Sequence, residues 1–135
     1  MAVKSWPCIT TASLKAMFKL YNNNPHNEKL SDCVCRAITL ATEANYYDVM
    51  DLLKENGQKH DCQCLTCECY SKMLDDIGYK KHEVKEKTVG EIAEENKDKT
   101  LLIRIEGHLT CAKDGDIYDL WDCSGKKADF YWVID

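Results

Sequence analysis

Nine cysteines could carry nucleophilic chemistry in this chain, and one stands out by its setting. Ser31-Asp32-Cys33-Val34-Cys35-Arg36-Ala37-Ile38 runs on as Thr39-Leu40-Ala41-Thr42. It reads as a polar cap followed by a helix that is apolar nearly all the way round, a pattern of central, buried helices. With Ser31 or Asp32 accepting a capping bond, Cys33 falls in the opening turn, where free N–H groups and the helix dipole favour negative charge. A thiol there loses its proton more readily, and the thiolate is the reactive form. Cysteine also fills helix interiors without reacting, so the nucleophilic reading depends on a base. Cys35 lies about 200° round the helix from Cys33 and is assigned to packing. Arg36, one turn on, is assigned to an ion pair, because a buried arginine needs a partner.

The base is sought among four histidines. His26 lies in a polar loop, and His60 and His82 sit among charged residues, whereas His108 follows Gly107 at the start of a β-type run. An Asp114-Gly115 pair between two such runs is a strong hairpin signal. With these as the two turn residues, Lys113 faces Asp116, Thr110 faces Asp119 and His108 faces Trp121. Alternation then puts His108, Thr110, Asp119 and Trp121 on one face, with Asp119 diagonal to His108. Asp122 points the other way. A one-residue slip would exchange the two, and both aspartates also fit as solvated hairpin residues.

A second cluster, Cys62, Cys64, Cys67 and Cys69, spells C-x-C-x-x-C-x-C with His60 just before it. Four thiolates are a sensible zinc set, but structural sites draw their ligands from two separated knuckles, and these four lie within eight residues. Zinc is therefore a lesser alternative to loop thiols and partial packing, and no cofactor is required.

These residues must be positioned by a set of helices followed by a sheet. Leu14, Met17, Phe18 and Tyr21 repeat at helical spacing from about Thr11, and Asn22-Asn23-Asn24-Pro25 ends that helix. Asn45 caps a helix with the stripe Tyr46, Val49, Met50 and Leu53, closed by Asn56-Gly57. Thr66 caps another, carrying Tyr70, Met73, Leu74 and Ile77, with Gly78 as its stop. Tyr79 to Val84 reads as a short edge strand. Thr88-Val89-Gly90-Glu91 has the capping-box pattern and opens a short, mostly exposed helix. Leu101, Ile103 and Ile105 alternate in a strand expected to bury one face, and residues 130–134 form the last strand. Helices first and an antiparallel sheet after them make an α+β fold, a single domain over residues 1–135.

Composition narrows the function. A chain of 135 residues can bury one real core. A net charge of −5 speaks against a nucleic-acid partner. No apolar run is long enough to cross a membrane, and the opening Met1-Ala2-Val3-Lys4-Ser5-Trp6-Pro7 lacks the apolar stretch of a signal peptide. A cytoplasmic protein is expected, with its nine cysteines kept as thiols rather than paired in a disulfide framework.

A cysteine opening the central helix, then a histidine and a polar partner on adjacent strands, resembles the papain-like cysteine peptidases. NlpC-type cell-wall peptidases and bacteriocin-processing peptidase domains share that chain order. Asp32-Cys33-Val34, Arg36-Ala37-Ile38, Gly107-His108, Asp114-Gly115, Ile117-Tyr118-Asp119 and Trp121-Asp122 look like small papain-fold proteins of phages and other viruses. The resemblance spans roughly residues 27 to 134. It implies a central helix packed on a C-terminal antiparallel sheet, with Cys33 as nucleophile, His108 as base and Asp119 as orienting residue. It also implies an oxyanion-binding amide before the nucleophile, for which Asn27 is the candidate, although papain itself has glutamine there. The expected activity is a cysteine hydrolase cutting peptide or isopeptide bonds of a peptide or protein substrate, in the host cytoplasm if the chain is viral. Two alternatives stay open: an inactive papain-fold binding protein, and a metal-dependent interaction module centred on Cys62 to Cys69. The Cys62–Cys69 insertion is where the chain departs most from the family pattern.

Overall fold

The computed structural model describes residues 17–26 and 32–134. In chain order these form β1 (Phe18–Leu20), α1 (Cys33–Thr42), α2 (Tyr46–His60), α3 (Cys67–Ile77), β2 (Lys81–Glu83), α4 (Val89–Glu95), β3 (Thr100–Ile105), β4 (His108–Lys113), β5 (Asp116–Asp119) and β6 (Phe130–Val133). The α+β class is as expected. The sheet has six strands in the order β1-β5-β4-β3-β6-β2. It is mixed rather than antiparallel throughout, because β1 runs parallel to β5.

That strand replaces the end of the helix expected from about Thr11. Phe18 pairs with Ile117, Lys19 with Tyr118 and Leu20 with Asp119, and Met17 O accepts from Ile117 N–H at 2.8 Å. The helical spacing is overridden because the open edge of β5 supplies backbone partners to Phe18–Leu20. Tertiary pairing overrides a weak local preference. Thr11 and Leu14 lie outside the described residues.

The central helix is as apolar as its sequence implies: Val34, Cys35, Arg36, Ala37, Ile38, Thr39 and Ala41 of α1 are all buried. Asp32 occupies the N-cap position, yet its side chain caps nothing; its carboxylate is taken by other donors, described below. Asn45 does cap α2, accepting from Tyr47 and Asp48 N–H. Thr66 caps α3 and Gly78 ends it at φ 110°. Thr88 and Glu91 close a complete capping box on α4, a helix that buries Val89, Ile92 and Ala93.

Asn56-Gly57 does not close α2, which runs on to His60 with Asp61 as its left-handed cap. Both residues are buried. A Cβ on Gly57 would stand 2.9 Å from Cys62 O and 3.0 Å from Cys64 Cβ, so the glycine serves close packing of the following loop rather than termination. Asn56 Nδ2 donates to Cys69 O at 2.8 Å, tying α2 to α3.

The sheet carries core on both faces. Leu102, Leu109, Cys111 and Trp132 pack with α1, α2 and α3, while Leu101, Ile103, Ile105, Ala112 and Ile117 pack with α4. β3 is therefore buried on both sides, not one: its alternation with Leu102 is an alternation between two cores.

The β4–β5 hairpin turns at Asp114-Gly115, both at positive φ (52° and 84°), as a two-residue primed turn requires. Its register is the expected one: Lys113 opposite Asp116, Ala112 opposite Ile117, Cys111 opposite Tyr118. A second two-residue turn, Glu106-Gly107, joins β3 to β4 and pairs Ile105 with His108. It places His108 at the very mouth of that hairpin.

Candidate active site

Cys33 is the first residue of α1 and His108 the first of β4. The element pair they open is packed together, so two chain ends of rigid elements meet. Cys33 is half-buried, and it lines one cleft together with His108 and another together with Asp119. His108 Nε2 lies 2.6 Å from Asp119 Oδ2, which leaves Nδ1 as the nitrogen for the thiol. The ring also rests on Trp121, with centroids 5.1 Å apart. All three candidates from the sequence therefore come together at one place.

Asp122 is not part of it. Its carboxylate accepts from Ser124 N–H at 3.0 Å and from Ser124 Oγ at 2.6 Å, on the exposed side of the chain. Asn27 lies outside the described residues. His26 meets Tyr47 Oη, His60 meets Asp76 and His82 stacks on Tyr131, so none of these reaches Cys33.

The electrostatics follow from these contacts. Burial alone would push the Cys33 thiol up, but its interaction with the His108 side chain and the Leu109 backbone, with the charges of His108 and Arg36, brings it below its ordinary value. For His108, burial pulls downward and is outweighed by the hydrogen bond to Asp119 and by interaction with Cys123 and Cys33, so the imidazole is raised. Asp119 is held low despite burial, first by His108 and then by Thr110. The Thr110 hydroxyl is 1% exposed and lies beside that carboxylate without meeting any partner at good hydrogen-bond geometry. The set favours a thiolate beside an imidazolium. Other buried thiols behave oppositely: burial raises Cys35 to about 11 and Cys111 to about 12. Cys35 is fully buried against Thr39 and the Tyr46 carbonyl, the packing role expected of it.

Behind the candidate triad sits a buried ionic group that the sequence only half revealed. Arg36 Nε donates to Asp32 Oδ1 at 2.6 Å, and its Nη1 lies 3.6 Å from Asp119 Oδ1. Asp32 Oδ2 accepts from Tyr46 Oη at 2.7 Å and from Asn24 Nδ2 at 2.9 Å. A partner for Arg36 was foreseeable from its helix; the identity of both partners was not. Cys123, whose sulfur lies 4.0 Å from Asp119 Oδ2, was missed altogether. Nothing in its sequence setting marks it.

A cleft of about 280 Å³ leads away from Cys33 and His108, walled by Val34, Leu65, Tyr70 and Arg104. The Cys62–Cys69 cluster lies nearby and departs from expectation: Cys62 and Cys69 are joined in a disulfide, while Cys64 and Cys67 remain free. Two of the four sulfurs are thus bonded to each other, and a four-thiolate zinc site is not formed; the turn at Asp61 and the first turn of α3 bring these two cysteines together instead. Among the described residues the one compact group of metal-ligand atoms is His108, Asp119 and Cys123. Its histidine and carboxylate already satisfy one another, and no metal is needed to explain them.

No helix among the described residues is long and apolar enough to cross a membrane. Comparison of the chain with models of protein families, with curated proteins and with solved structures finds no match to any of them.

Proposed function

We propose that the protein is a papain-like cysteine hydrolase acting on peptide or isopeptide bonds. The observation that carries this reading is the His108–Asp119 pair, Nε2 at 2.6 Å from the carboxylate, lining one cleft with Cys33 at the start of α1. A nucleophile bonded to a base, and a base bonded to an orienting acceptor, is what acyl transfer by a thiol needs. The order of elements agrees: nucleophile at the start of a buried helix, base and acceptor on neighbouring strands of the following sheet.

In this reading the Cys33 thiolate attacks the acyl carbon and the His108 imidazolium gives its proton to the leaving amine. Neutral His108 then takes a proton from water, whose oxygen releases the acyl group from sulfur. Asp119 holds the ring in the orientation that keeps its other nitrogen on the thiol. The backbone N–H of Cys33, in the first turn of α1, would serve as an oxyanion donor, with Asn27 as the expected side-chain partner. Deamidation would use the same groups with ammonia as the leaving amine and water still the acceptor, and acyl transfer would put a second amine in place of that water.

The test is digestion of a mixed peptide and isopeptide library by the purified protein, with products read by mass spectrometry. Cleavage that disappears in Cys33→Ala and in His108→Ala is the expected result. A protein that labels with iodoacetamide at Cys33 no faster than a free exposed thiol, and leaves the library intact, would instead be a binding protein on this scaffold.

A further inference from the structure

The buried group behind the candidate triad is centred on an arginine that touches two of its carboxylates. Arg36 is 7% exposed, one helical turn past Cys33, and it spans two carboxylates. Asp32 fixes it firmly at 2.6 Å, and Asp32 is in turn held by Tyr46 from α2 and by Asn24. The guanidinium is thus anchored from one side and presented to Asp119 from the other. The two oxygens of Asp119 divide their work: Oδ2 receives His108, while Oδ1 receives the Leu120 N–H at 2.7 Å and faces Arg36 at 3.6 Å. That division leaves the carboxylate little freedom to turn.

We propose that Arg36 is a positioning residue of this site, which by bridging Asp32 and Asp119 fixes the Asp119 carboxylate toward His108 and so sets the reactivity of Cys33. The inference rests on reading Cys33, His108 and Asp119 as one unit. Its physical basis is that a buried carboxylate keeps its charge only with compensating donors, and a carboxylate that lost its charge would release the imidazolium it supports. The titratable groups around the guanidinium are Asp32, Cys33 and Cys35 on α1 and Asp119 on β5, with Tyr46 of α2 reaching Asp32. Tyr21 and Tyr118 line the small cavity beside it. His108 is the other cationic group on Asp119, and it takes Oδ2, so Arg36 is the one that faces Oδ1 and also holds Asp32.

The experiment is the pH profile of iodoacetamide alkylation at Cys33, read on the Cys33 peptide by mass spectrometry, for the parent, Arg36→Gln and Arg36→Lys, with thermal melts alongside. Removal of the charge is expected to raise the midpoint by about one pH unit, a tenfold loss of thiolate on the acid side of the profile. Lysine keeps the charge but reaches one carboxylate only, and is expected to raise the midpoint less. Should the glutamine variant not fold, the lysine variant decides alone: a raised midpoint supports the proposal and an unchanged one overturns it. Lower melting temperatures with midpoints equal to the parent's would make Arg36 merely structural and overturn it as well. Because alkylation needs no substrate, a shifted midpoint in a protein that cleaves nothing separates this proposal from the hydrolase reading.

Discussion

Nine cysteines share this chain, and their surroundings divide them. Cys35 and Cys111 sit in apolar interiors that raise them, while Cys33 sits at a helix start beside an imidazole that lowers it. Reactivity should follow that division. Iodoacetamide at neutral pH is expected to mark Cys33 well ahead of Cys35 and Cys111, and His108→Ala should slow Cys33 labelling by about tenfold or more, as the lost partner returns the thiol toward its ordinary value. The two aspartates give a sharper contrast. Asp119→Asn removes the acceptor 2.6 Å from His108 and should raise the midpoint of Cys33 alkylation. Asp122→Asn disturbs only the turn bonds to Ser124 and should leave the profile where it is. Equal effects from the two would mean the register of the hairpin is not as described.

Elements here are held by close approach as much as by burial. The loop after α2 lies directly on Gly57, where an added Cβ would meet Cys62 O at 2.9 Å. That atom is backbone and cannot swing aside, so Gly57→Ala is expected to cost about 1–3 kcal/mol, visible as a lowered midpoint in urea unfolding. A gain in stability, as alanine gives at an ordinary exposed helix position, would show that the loop is free to move off. The same contact explains why an Asn-Gly pair that looks like a helix stop lies inside one. At the other end of the fold, two hairpins with two-residue turns bracket β4, and both turns carry a glycine at positive φ. They determine where His108 and Asp119 stand relative to each other, since a slip in either would move one of them to the opposite face.

For the molecule as a whole, the buried ions set the pH range of stability. Asp119 and Asp32 are both lowered from 3.8. Their contribution is present above 3.8 and is lost as pH falls through their depressed folded values. His108 is raised from 6.5, so its contribution is complete below 6.5 and is lost as pH rises through its raised folded value. Thermal melts are therefore expected to be highest between these limits, falling on the acid side below 3.8 and again on the alkaline side. In His108→Ala the alkaline fall should shrink while the acid fall, still carried by Asp32, persists. Between the two cores the sheet itself is the common wall, and Trp132, 1% exposed and edge-on to Tyr70, is its largest fully buried side chain. Trp132→Ala is expected to cost about 3–5 kcal/mol, measured by denaturant unfolding.

Much of this was legible in the chain by itself, wherever a few adjacent residues suffice. The apolar circumference of α1, the caps at Asn45, Thr66 and Thr88, the stop at Gly78 and the Asp114-Gly115 turn are local physics, and the turn alone fixed the register that puts Asp119 beside His108. Three features were not local. Met17 to Tyr21 became a strand because β5 offered an open edge; Asp32 gave up its capping role because Arg36, Tyr46 and Asn24 converge on its carboxylate; and Cys62 found Cys69 because α2 and the start of α3 bring them together. Each depends on a partner distant in sequence, and such a partner exists only once the tertiary structure has formed.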